Sequence, residues 1–182
     1  MFRVRITKSV LPALLILAFM LGGCNYYFPH VYDGPTKKIY MPNWQNRTNK
    51  LGLDVDIYQQ LSRWFQKSQS IVLTKDKASA DLILAGEVVS IDLPSISWDG
   101  AARATEVKVR LNVRYILKDL RTDEILWEMP TEIWTEEYSA MGGSAAMADN
   151  EKIALDQILE DMSERIYIGT LDKLRRLNKQ AK

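Results

Sequence analysis

The sequence predicts an α/β fold of the α+β kind, a two-layer sandwich with two helices on one face of a sheet. The sheet is expected to be mostly antiparallel or mixed, with about four to five strands. Three observations carry this. Leu53, Ile57, Leu61 and Trp64/Phe65 recur at helical spacing, and so do Leu155, Ile158/Leu159, Met162, Ile166, Leu174 and Leu177 near the end of the chain. Between these stripes, Val107, Val109, Leu111, Val113, Tyr115 and Leu117 alternate with polar residues, as in a strand with one face in water. The chain is 182 residues long, enough for one domain with a proper core.

The elements follow in order. Arg3, Arg5 and Lys8 precede an apolar run from Val10 to Leu21, broken only by Pro12 and closed by Gly22, Gly23 and Cys24. A basic start, a short apolar core and small residues before the cut form a secretory signal peptide. The run is too short to cross a bilayer, which takes about 20 apolar residues. Residues 1–23 are therefore read as the signal, 24–36 as a tether and 37–182 as a single α/β domain. Lys37 to Met41 is a short strand stopped by Pro42. A helix is expected over 51–67, with Asp54 and Asp56 in its first turns and Arg63 and Lys67 in its last, as the helix dipole favours. Ile71 to Thr74 is a brief strand. Ala80 to Leu93 is a longer, central one, apolar on both faces over Leu82 to Ala85.

The alternating strand that follows turns at Asp119-Leu120-Arg121-Thr122-Asp123 and returns over Glu124 to Tyr138. Setting Lys118 opposite Glu124 places Arg114 against Glu128, Arg110 against Glu132, Lys108 against Trp134, Leu117 against Ile125 and Tyr115 against Trp127. Bases then meet acids and apolar residues meet each other. Pro130 cannot donate to a ladder, so the returning strand is expected at an edge or bulged. Met141 to Ala148 reads as a flexible link. The last helix is expected to start from a cap at Asp149 or Asn150, with Gly169 kinking or shortening it.

Composition excludes several functions. The sequence holds 24 basic and 23 acidic residues, and three of the basic ones lie in 1–23, leaving the remainder at about −2. A nucleic-acid binder normally carries a basic excess. The single His is His30 and the single Cys is Cys24, so a metal cluster or a His-dependent triad has no raw material. Gly142-Gly143 is followed by Ser-Ala-Ala without the Lys of a phosphate-binding loop. No cofactor, metal or catalytic residue is expected, and Glu128, Glu132 and Glu136 look structural.

Two groups of residues suggest binding. Leu21-Gly22-Gly23-Cys24 resembles the lipobox of bacterial lipoproteins, in which the Cys takes a diacylglycerol and becomes the N-terminus. Cys24 would then hold the domain on a membrane without a spanning segment. Asn25 rather than Asp after it resembles an outer-membrane address. Arg103, Lys108, Arg110 and Arg114 line an exposed strand face and are candidates for phosphate groups of an anionic lipid. The simpler reading of Arg110 and Arg114 is ion pairing across the hairpin, which leaves Arg103 and Lys108 as the better ligand candidates. Trp98 is either a partner anchor or tucked under the sheet.

The segments together resemble a known family. Ile39-Tyr40-Met41-Pro42 and Asn43-Trp44-Gln45-Asn46-Arg47-Thr48 are similar to the opening of the LptE lipopolysaccharide-assembly lipoproteins. Ala80-Asp81 through Gly86-Glu87-Val88 is similar to that family's Ala-Asp-hydrophobic-Gly strand. Ala104 to Ile116 with Leu126-Trp127-Glu128 resembles its hairpin. Trp44 stands where Phe is usual, and Asn25 where many members have Gly. The resemblance spans about residues 37–138. It implies an outer-membrane lipoprotein on the periplasmic face, with no enzymatic activity. Such a protein acts as plug and assembly partner of the LptD β-barrel in lipopolysaccharide transport, with lipopolysaccharide itself as a further ligand. The alternative is a lipid-anchored periplasmic scaffold of another envelope complex.

Overall fold

A computed structural model describes Tyr32 and residues 34–180. The signal segment, Cys24 and His30 lie outside the described residues. The strands are β1 (Lys37–Tyr40), β2 (Gln45–Asn46), β3 (Ile71–Thr74), β4 (Leu82–Asp92), β5 (Ser95–Trp98), β6 (Ala104–Asp119) and β7 (Ile125–Ser139); the helices are α1 (Leu53–Gln66) and α2 (Gly143–Gln180). They form an α+β two-layer sandwich with seven strands rather than four to five. The two beyond the expected five are β2 and β5, too short to show a period.

The sheet is mixed. β1 lies between β3 and β4 and runs parallel to both, while β2 continues along the same side of β4. β4 pairs antiparallel with β6, β5 continues on β4's side, and β7 covers the other side of β6. Among the described residues β7 pairs with nothing else, so Pro130 sits on an edge strand as expected. β4 is central, but of its apolar residues only Leu82, Leu84 and Val88 are fully buried, under the helices. Ile83 and Ala85 are half-buried on the open face.

α1 buries Leu53, Ile57, Leu61 and Phe65 against the sheet and α2. Each contributes about 1.5–3 kcal/mol by leaving water. α2 begins at Gly143, ahead of the expected cap. Ala145, Ala146, Met147 and Ala148 are strong helix formers and extend it. Asn150 is not a cap, and its Nδ2 donates to the Ser139 carbonyl at 2.9 Å. Gly169 does not end the helix, which runs on to Gln180. Its missing side chain admits Trp127, and a Cβ there would lie 2.6 Å from Trp127 Cζ3. Tyr32, inside the expected tether, is 5% exposed and joins the core.

The expected hairpin register is corrected. Lys118 pairs with Ile125, Leu117 with Trp127, Tyr115 with Met129, Val113 with Glu132, Arg110 with Thr135 and Lys108 with Glu137. The slip starts at one residue at the turn, where the Asp119 amide bonds the Glu124 carbonyl. It grows by one at each of two irregularities, between Leu117 and Lys118 and between Val113 and Tyr115. Each puts an additional residue into β7, as a bulge does. The second lies at Pro130-Thr131 and reverses the faces beyond it, so that Glu132, Trp134 and Tyr138 turn inward while Ile133 is 51% exposed.

Candidate interaction surface

Alternation along β6 builds the open face. Its odd-numbered residues from Val107 to Leu117 are buried beneath the helices, and Lys108, Arg110, Asn112, Arg114 and Lys118 point away from them. Glu87 on β4 lies opposite Arg114. Arg114 Nε and Nη2 donate to one Glu87 oxygen at 2.9 and 2.5 Å, and Arg47 pairs with the other. The Arg114 hydrogen bonds hold the Glu87 carboxyl below the ordinary carboxylate range. Arg47 arrives from the turn after β2. Asn46 Oδ1 accepts from the Thr48 amide and hydroxyl at 3.0 and 2.7 Å, and Asn46 Nδ2 donates to the Lys50 carbonyl. The Asn-Arg-Thr segment is thus a folded turn that aims an arginine at Glu87.

The four basic candidates do not form one free stripe. Arg103 pairs with Asp99 at 2.8 Å across the β5–β6 turn, and its backbone and side-chain hydrogen bonds lower the Asp99 pKa. Lys108 pairs with Glu137 at 2.8 Å rather than facing Trp134. Arg114 is committed to Glu87 rather than Glu128. Arg110 alone of the four has no ion pair among the described residues. Its expected partner Glu132 lies on the opposite face. Trp98, the last residue of β5, is 58% exposed and does not tuck under the sheet.

Beneath β7 sits a polar group that sequence reasoning missed. Glu132 is 9% exposed. It accepts from the Tyr115 hydroxyl at 2.9 Å, and Arg165 Nε of α2 stands 3.4 Å from its second oxygen. Burial, then the Glu132 charge, pushes the Tyr115 hydroxyl well above its ordinary pKa. Arg165 also lies over the Trp134 ring, 5.5 Å from its centroid. The signal for this cluster was Pro130, because a bulge there inverts the facing of Glu132. No His/Cys/Asp/Glu group suited to a metal stands among the described residues. No helix among them is long and apolar enough to cross a membrane.

A mixed sheet with both helices on one face and ion pairs along the opposite face defines a protein of two-layer α+β architecture. Residues 36–168 match the family described as LptE, lipopolysaccharide-assembly. The chain belongs to that family. Solved structures share its fold at low identity. A Xanthomonas campestris protein is 12% identical with a TM-score of 0.57, covering 81% of this chain and 91% of its own. Rare lipoprotein B from Shewanella oneidensis is 10% identical with a TM-score of 0.55, over 78% and 98%. Lipoprotein B from Nitrosomonas europaea is 14% identical with a TM-score of 0.53, over 81% and 88%. No curated protein sequence matches the chain.

Proposed function

We propose that this chain is a lipid-anchored outer-membrane protein that plugs, and assists assembly of, an LptD-type β-barrel delivering lipopolysaccharide to the cell surface. The match to the lipopolysaccharide-assembly family over residues 36–168 carries the reading. Diacylglycerol on Cys24, after removal of residues 1–23, supplies the anchor on the periplasmic face, and further acylation makes it stable. The open sheet face supports a lumenal position. Lys108, Arg114 and Lys118 are each neutralised by a carboxylate at 2.5–2.8 Å. A paired, polar surface of this kind suits the polar interior of a barrel. The role is binding and requires no catalytic group.

Arg110 is the base best placed to meet a lipid phosphate, being exposed and free of a carboxylate. Arg103, Lys108 and Arg114 take part by leaving their present partners. Depletion of the protein tests the role. Lipopolysaccharide stranded inside the cell is the expected result, and normal surface delivery after complete depletion would sink it.

A further inference from the structure

Among the described residues, nothing pairs with the outer edge of β7 from Ile125 to Ser139. Natural edges of that length are usually blunted or covered; this one carries no lysine, and its protection lies in Pro130, two bulges and the inward-turned Glu132. A groove of about 510 Å³ runs between it and α2. It is lined by Trp127, Trp134, Ile168 and Gly169 together with Asp161, Glu164 and the single base Arg165.

The electrostatics select the occupant. Residues 122–151 contain eight acidic side chains and no basic one. Of these, Asp123, Glu132, Glu137 and Glu151 have ion-pair partners. Among the described residues, Glu128 and Glu136 on β7, and Asp161 and Glu164 on the groove, have none. Arg165 already shows how a cation sits here, over Trp134 and near Glu132.

From the free edge, the tryptophan-walled groove and the unbalanced carboxylates, we infer that β7 is a strand-addition site for an extended, basic polypeptide segment of a partner protein. Main-chain hydrogen bonds extend the sheet beyond β7. Alternate Lys or Arg side chains of the segment lie on Trp127 and Trp134, with their charges toward Asp161 and Glu164. A second copy of this chain is the poorer occupant, because edge-to-edge pairing would bring two acidic strands together. The inference does not depend on which partner carries the segment, nor on the lipopolysaccharide role.

The test uses the full lipidated protein in mild detergent and three acetylated seven-residue peptides. One alternates Arg and Val, one alternates Glu and Val, and one is the Arg-Val peptide with alternate backbone amides methylated. Tryptophan fluorescence reads binding, and amide exchange reads β7. The Arg-Val peptide is expected to bind and to slow exchange along β7, with the other two at least tenfold weaker. Asp161→Lys with Glu164→Lys is expected to weaken it at least tenfold with unchanged thermal unfolding. Trp134→Leu tests the wall independently, with loss of affinity expected. No binding by the Arg-Val peptide, equal binding by the Glu peptide or indifference to the charge reversal would overturn the inference. So would peptide-free dimers protected along β7.

Discussion

Replacing Gly86 with Ala on central strand β4 tests how the sheet is locked to its covering layer. An ideal Cβ at this position would lie 2.5 Å from Trp44 Cδ2 and 2.7 Å from Cζ2. Ordinary carbon contacts need about 3.5–4.0 Å, so the indole must retreat by roughly 1 Å. It has little room to do so. Trp44 is 3% exposed and stacks on Tyr115 with ring centroids 5.9 Å apart. Ala removes backbone freedom from the unfolded chain and would by itself stabilise by about 0.4–1 kcal/mol. Overpacking a filled core costs about 1–3 kcal/mol. The second effect outweighs the first because the obstructing atoms belong to a buried ring and not to a flexible side-chain end. Net destabilisation of about 1–2 kcal/mol is expected, read as a lower urea midpoint at unchanged slope. Adding Trp44→Leu should make Gly86→Ala cost less than it does in the parent. A single variant as stable as the parent, or more so, would refute the packing argument.

Other predictions follow from the same contacts. Gly169→Ala should destabilise despite a helix-propensity gain of about 1 kcal/mol, because its Cβ meets Trp127; thermal unfolding reads the sign. Tyr115→Phe removes the donor to buried Glu132 and should cost about 1–3 kcal/mol, measured by denaturant unfolding. Glu87 has a folded pKa below its unfolded value, so its stabilisation is present above the unfolded pKa and is lost as pH falls through the folded one. Glu87→Gln should therefore be less stable than the parent at neutral pH. The difference should shrink below about pH 4. Cys24→Ala should move the protein from the membrane fraction to the soluble fraction on cell fractionation.

The periodic parts of the fold are legible in the sequence because burial on one face imposes them. The α1 stripe and the β6 alternation correspond to helix and strand boundaries within a few residues. What sequence alone could not supply was cumulative register. Each bulge in β7 inserts one residue, and the insertions decide whether Glu132 meets Arg110 in water or Tyr115 in the core. Pro130 signalled the irregularity but not its parity. The family-like motifs prove to be folding devices. Trp44 closes over Gly86, Asp81 Oδ2 accepts from the Lys38 amide at 2.9 Å, and Asn46 shapes the turn that delivers Arg47 to Glu87. A motif that fixes the fold does not announce a ligand site. The basic stripe looked available because the pairing with Glu87 depends on a neighbouring strand distant in sequence, that with Glu137 on the corrected register, and that with Asp99 on the folding of a short turn.

The most direct measurement of the central claim is affinity capture of the lipidated protein from gently solubilised outer membranes, with partners identified by mass spectrometry. A stoichiometric LptD-type β-barrel is the expected partner. Intact protein in that fraction with no barrel bound would contradict the plug role, leaving a lipid-anchored scaffold that shares the family's fold.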